Sequence, residues 1–183
     1  MLGRSVVEGW GSSAGERDDE YPCDGMLDRP DRVLFRAVDV EAPAELVFRW
    51  LCQLRAAPYS YDWLDNRGRR SPQELTDGLE QLEVGQRMCT IFELVHFEPG
   101  RSITLDSTTG VFGRVVITYR VTSSGPGRSR LVAKLLFATP RSPYGFVMRR
   151  VLPAGDLVMM RRQLLNLKRL AERDTESYAG GGG

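Results

Sequence analysis

The chain has 183 residues, 42% of them hydrophobic, with 25 basic side chains against 24 acidic and a net charge of +1. That length suits one domain with a sizeable core, and so even a charge balance argues against a nucleic-acid binder or an acidic tail protein. Cys23, Cys52 and Cys89 lie far apart with no C-x-x-C spacing, which argues for a reducing compartment and against a structural metal.

No apolar run approaches the ~18 residues of a membrane span. Near the start, Val6-Val7 runs straight into Glu8-Gly9, so a signal peptide's apolar core is missing. A cytoplasmic protein is expected, without a cofactor. Residues 1–31 are rich in Gly, Ser, Asp and Glu and read as a disordered arm. Gly11-Ser12-Ser13-Ala14-Gly15 matches G-x-S-x-G formally, but that nucleophile motif needs a strand before the serine and a helix after it. The arm offers neither by pattern, so Ser13 is not expected to be catalytic, and Asp18-Asp19-Glu20 reads as a solvated acidic run.

The domain proper is expected over 32–174. Val33 to Val40 is a β-rich run, and Pro43 then opens a helix to about residue 54, with Leu46, Val47, Trp50, Leu51 and Leu54 as its apolar stripe. The densest aromatic cluster follows, Tyr59-Ser60-Tyr61-Asp62-Trp63, which either plugs a core edge or offers flat amphipathic rings to a ligand. Asp62 reads as a cap for a short helical segment, and Ser71-Pro72-Gln73-Glu74 as a capping box ahead of another, limited by Gly78.

Strands are expected from Met88 to Glu98, Ser102 to Ser107, Arg114 to Thr122 and Arg130 to Ala138, with turns at Pro99-Gly100 and Gly125-Pro126-Gly127. Val115, Ile117, Tyr119 and Val121 share one face of their strand, and Leu131, Ala133, Leu135 and Phe137 one face of theirs. Such alternation predicts an antiparallel sheet open to water on one side. Pro140 to Pro153 reads as a basic connection carrying Tyr144, Phe146 and Met148. A long amphipathic helix then spans Gly155 to Arg173 behind Asp156 as N-cap. Its apolar stripe of Leu157, Met159, Met160, Leu164, Leu167, Leu170 and Ala171 is interrupted by Gln163, which must find a partner or face a wet cavity. Residues 175–183 read as a flexible tail.

A curved sheet with one apolar face needs a cover, and only the last helix is long enough. A ligand cavity between the two is the physical expectation, lined by apolar atoms with a few polar groups. The runs V-D-V-E-A-P-A-E-L-V-F-R-W (38–50), Y-S-Y-D-W-L (59–64), F-E-L-V-H-F-E-P-G-R-S-I-T-L (92–105) and Gly155 to Arg173 resemble the SRPBCC superfamily, the START-related helix-grip group that includes polyketide aromatase/cyclases. The chain looks nearest to actinobacterial members labelled polyketide cyclase/dehydrase or lipid transport-like. The resemblance covers about residues 33–173. It implies an α+β helix-grip fold, a curved antiparallel sheet of about six or seven strands around the C-terminal helix.

The one histidine, His96, excludes a multi-histidine metal site. Its strand is apolar on both faces: if Ile91, Val95 and Phe97 point inward, Glu93 joins them, and if Phe92 and Leu94 do, His96 does. Either register puts one ionisable group inside. Glu93, His96 and Tyr119 are therefore the candidate acid–base residues. Tyr59, Tyr61, Trp63, Tyr119, Phe137, Met160 and Gln163 are the expected ligand-binding residues. Arg87, Arg114 and Arg161 are the cations available to an anionic ligand, Arg114 reading as outward. The expected function is a carrier or binding protein for a small hydrophobic or amphipathic ligand such as a lipid, isoprenoid or polyketide. By the family resemblance, the alternative is an aromatase/cyclase-like enzyme for aldol cyclisation or dehydration. A third reading docks an anionic surface or acidic partner on the basic 141–150 segment. Nucleic acid is not an expected partner.

Overall fold

The computed structural model describes residues 8–60, 70–107, 113–139 and 143–180, with backbone alone over 143–154 and 178–180. Tyr61, Asp62 and Trp63 lie outside the described residues. Seven strands form one sheet in the order β1-β2-β7-β6-β5-β4-β3: β1 Gly9–Trp10, β2 Arg32–Val40, β3 Arg87–Met88, β4 Phe92–Glu98, β5 Ser102–Ser107, β6 Arg114–Gly125 and β7 Arg128–Ala138. Among the described residues only the β1–β2 pair is parallel, and the α-helices are α1 Ala14–Asp18, α2 Ala44–Cys52 and α3 Pro143–Gly180.

The inner face is the one the alternation marks. Leu34, Val38, Ile103, Leu105, Val115, Ile117, Tyr119, Val121, Leu131, Ala133, Leu135 and Phe137 share one buried cluster with Met160, Leu164, Leu167, Leu170 and Ala171 of α3. Each fully buried aliphatic side chain there contributes roughly 1.5–3 kcal/mol of transfer free energy. Helix α2 closes one end: Trp50 is fully buried, donates from Nε1 to Asp174 Oδ2 at 3.0 Å, and stands edge-on to Tyr59. Glu172 accepts the backbone N–H of Glu41 at 2.9 Å, so two adjacent residue pairs fix the far half of α3 to the β2–α2 corner.

Several expectations need correction. Helix α3 runs from Pro143 through Pro153, so it starts well before Gly155 and Asp156 is an interior helical residue rather than its N-cap. The capping box at Ser71 opens no helix; bends and a turn replace it. Buried Gln53 takes the backbone of that segment instead, accepting from Thr76 N–H at 3.0 Å and donating to Thr76 O at 3.2 Å. The strand expected over 88–98 is two strands, folded back at Cys89 and Thr90, which both have positive φ.

The largest difference concerns the N-terminal arm. Residues 8–31 carry β1 and α1, and they lay Tyr21, Cys23 and Leu27 on the outer face of the sheet against Phe35, Ala37, Val116, Val132 and Leu136. The sheet is therefore covered on that side too, because its outer face is apolar at those five positions. Arg120 sits 3.9 Å above the Tyr21 ring, Lys134 pairs with Asp24 at 2.7 Å, and Arg130 pairs with Glu16 at 2.7 Å. A strand and a helix do flank Ser13, contrary to the pattern reading. Its hydroxyl nevertheless serves as the cap of α1, in a capping box with Glu16, and His96 lies on β4, four strands beyond β2 in the sheet.

Gly11 makes the close approach possible. Its φ is +73°, and a Cβ there would stand 2.1 Å from the carbonyl oxygen of Ala37. Gly11→Ala should cost about 1–3 kcal/mol, and Tyr21→Ala about 3 kcal/mol. Both should lower the urea midpoint and expose 8–31 to limited proteolysis. Unchanged midpoints would show that the arm adds nothing to the fold.

Candidate functional site

One region of the inner face, beneath α3, carries buried polar side chains that meet the helix. The pairing registers align Trp10, Arg36, Ala133, Tyr119, Ile103 and Phe97 in a single row across the sheet. Two members of this row are polar, Arg36 and Tyr119, with the small Ala133 between them. Asp156, Met160 and Gln163, on successive turns of α3, lie over that row.

Tyr119 is 1% exposed and donates its hydroxyl to Gln163 Oε1 at 2.7 Å, with Met160 Sδ at 3.7 Å. Gln163, 5% exposed, donates in turn to the carbonyl of Pro58 at 2.6 Å. The break in the apolar stripe of α3 is thus a buried, paired glutamine. Burial pushes the Tyr119 phenol well above its usual range, so it stays protonated and acts as a hydrogen-bond donor.

Backbone strain gathers around Gln163. Tyr59, Cys89 and Thr90 are the positive-φ residues other than glycine among the described residues. Tyr59 follows the Pro58 acceptor and accepts from Asn166 Nδ2 at 2.8 Å, while Cys89 Sγ lies 4.0 Å from Gln163 Nε2. A left-handed conformation at a residue with a side chain costs of order 1–3 kcal/mol and survives only where its surroundings fix it.

Arg36 was not among the residues singled out in the sequence. Its side chain is 0% exposed, and Nη2 donates to Asp156 Oδ2 at 2.8 Å, the carboxylate being 11% exposed. Nη1 donates to the carbonyls of Phe35 at 2.7 Å and Glu8 at 3.4 Å, while Nε has no partner among the described residues. Desolvation lowers the Arg36 pKa and raises that of Asp156 from 3.8 to about 6, against the opposing pull of their ion pair. Sequence did carry a signal: Arg36 shares the period-two face of Leu34 and Val38, where a charge demands a counterion.

Glu93 and His96 are not brought to this site. A bulge between Leu94 and His96 shifts the register, so Phe92, Leu94 and Phe97 all pack on the core. Glu93 lies opposite Asp106, and His96 lies opposite Thr104, which bonds Thr118 at 2.9 Å on the outer face. Neither register considered from the sequence holds along the whole strand. Phe137 belongs to the inner cluster but sits away from the Tyr119 row, opposite Val115 and Arg32. Arg114 is paired outward with Asp106 at 2.7 Å, Arg161 lies over the Trp10 ring at 5.5 Å, and Arg87 is exposed. Among the described residues no cluster of ligating side chains has metal-site geometry, and no helix is long and apolar enough to cross a membrane.

Breaking the buried pair from either side should be costly and asymmetric. Asp156→Ala leaves the buried guanidinium with neither counterion nor side-chain acceptor and should lose about 3–5 kcal/mol. Arg36→Met leaves a carboxyl able to take up a proton, so its penalty should shrink as pH falls. Arg36→Met combined with Asp156→Leu should recover most of the loss. In the native protein the folded carboxyl keeps its proton to about pH 6, whereas the unfolded one releases it near 3.8. The stability contributed at this group is therefore full below the lower value and declines as pH rises through about 6. Urea titrations across that range check all three points.

No protein-family model and no curated protein sequence matches the chain. Among solved structures, protein MLL2253 from Mesorhizobium loti is similar with a TM-score of 0.51 and 15% identity, over 78% of this chain and 98% of its own. A Thermobifida fusca protein gives a TM-score of 0.52 and 15% identity, over 77% and 93%. The Zhui aromatase/cyclase from Streptomyces gives 0.48 and 19%, over 83% and 98%. At such identities the likeness is one of fold. The seven-stranded sheet with the long C-terminal helix packed on it has a helix-grip arrangement, a fold shared with the first two of these structures.

Proposed function

We propose that the protein binds and carries a small hydrophobic or amphipathic molecule between the inner face of the sheet and α3. The observation that supports this reading most is the placement of Tyr119 and Gln163. They form a compact polar centre, next to the Arg36–Asp156 pair, in a largely apolar interface, with the positive-φ residues Tyr59 and Cys89 beside it. Apolar walls with a few convergent polar groups are what a site for a lipid-like ligand requires, the walls supplying affinity and the polar groups orientation. Tyr119 donates one hydrogen bond and keeps lone pairs with which to accept another from a ligand hydroxyl. Tyr59 and Met160 belong to the same lining, and Tyr61 and Trp63 join it in this proposal from sequence alone.

A second reading is favoured by Asp156, an interior carboxyl that exchanges its proton near pH 6 on the same side of α3 as Tyr119. In a cyclase-like reaction Tyr119 would hold a ligand carbonyl by hydrogen bonding and Asp156 would move protons at the adjacent carbon. Here Asp156 takes the part that the sequence reading gave to Glu93 or His96. Docking on an anionic surface through 141–150 has no comparable support, since that segment is helical backbone from Pro143 onward.

Native mass spectrometry of the purified protein, with organic extraction of what it carries, is the direct test. A defined apolar molecule near unit stoichiometry is expected. Tyr119→Phe should weaken its binding about tenfold, as removal of one buried hydrogen bond implies. An apo mass together with no thermal shift from any member of a lipid and polyketide panel would overturn the carrier reading. If the extracted molecule is turned over, Asp156→Asn should slow the reaction by ~10²-fold or more, while a carrier would show no turnover to lose.

A further inference from the structure

We propose that Arg36 recognises the carboxylate head of an amphipathic ligand, taking it in exchange for Asp156, with the ligand's apolar body running along the inner face toward Tyr119. This rests on the carrier reading and names the ligand class for it.

The guanidinium is fully buried yet half used. A planar fork suited to two parallel bonds with a carboxylate spends only Nη2 on Asp156, while Nη1 is spent on backbone carbonyls and Nε has no partner among the described residues. A buried charged donor without an acceptor is expensive, and a carboxylate able to engage two of its N–H groups would relieve that cost. The neighbouring position in the row is Ala133, the smallest side chain between Arg36 and Tyr119. Two strand spacings separate those residues, about 10 Å. A ligand held at Arg36 by its head therefore reaches Tyr119 with its first few carbons.

Charge balance gives the exchange a signature. Two anions facing one guanidinium in a desolvated site are unfavourable, so Asp156 takes up a proton from solvent as the ligand carboxylate arrives. The other groups facing this site leave that balance in place. Tyr119 on β6 is a neutral phenol, and Cys89 stands at the β3–β4 turn beside Gln163. Beyond β2, the Glu8 carboxylate is paired with Arg32, and Arg161 of α3 lies over Trp10. Arg130 and Lys134 are taken by Glu16 and Asp24 of the arm on the outer face.

The probes are decanoate and decanol, matched in chain length and different only in the head group, titrated calorimetrically into the full chain. Decanoate should bind at least about tenfold more tightly than decanol at pH about 6. Its affinity should fall by nearly tenfold per pH unit above that value, with uptake of close to one proton per ligand, read from the dependence of the heat on buffer. Decanol should show neither effect. In Arg36→Met/Asp156→Leu, which removes both charges together, the decanoate-to-decanol ratio should drop at least about tenfold. Decanol bound with decanoate no tighter, or a ratio unmoved in the double variant, would overturn this inference and leave the carrier reading standing. Failure of both probes and of the wider panel would overturn the two together.

Discussion

A guanidinium with no exposed surface cannot be left without an acceptor, and that constraint governs how the long helix sits on the sheet. Hydrophobic contact would hold α3 against the inner face in several neighbouring registers, because aliphatic packing is tolerant of sliding. The 2.8 Å contact between Arg36 and Asp156 accepts one of them. Two turns further along, Gln163 must meet both Tyr119 and the Pro58 carbonyl, and further still Asp174 must meet the Trp50 indole. Three polar contacts spaced along one helix act as pegs. Their net contribution to stability is small beside the burial of leucines, and their contribution to uniqueness is large.

The same arrangement explains why polar chemistry concentrates where it does. Desolvation moves the Arg36 and Asp156 ionisations toward each other and keeps Tyr119 protonated, so the space beneath α3 holds one donor, one cation and one proton-exchanging acid. Such a set suits orientation of a ligand head group. The outer face solves a different problem. Its apolar residues are roofed by Tyr21, Cys23 and Leu27, and its cations are matched by acids of the arm, Glu16, Asp19 and Asp24 among them.

Much of the fold is legible in the sequence because it is written in local periodicity. The inner faces of β6 and β7 and the buried stripe of α3 follow directly from spacing, and Gln163 announces itself as the interruption of that stripe. Arg36 and Asp156 escape because each looks ordinary alone, one as a strand charge and the other as a helix cap. Only their meeting across 120 residues makes them a site. The arm escapes for a related reason. Its composition is polar and its apolar residues are few, but Val116, Val132 and Leu136 on the supposedly wet face already require a cover. The break at Cys89 and Thr90 could not be read, since neither residue type favours a left-handed backbone.

The bulge between Leu94 and His96 divides β4 into two halves of opposite phase. A strand normally keeps one parity, so counting by twos from any buried residue tells which neighbours share its face. Here the count fails at the middle, and Leu94 and Phe97, an odd number of positions apart, point the same way. Any gapless transfer of residue roles through this strand from a protein without the bulge would place each role on the wrong side beyond it. Deleting the one extra residue would restore ordinary alternation and leave His96 outside, whereas a strand that kept all its residues and lost the bulge would turn the imidazole into the interior.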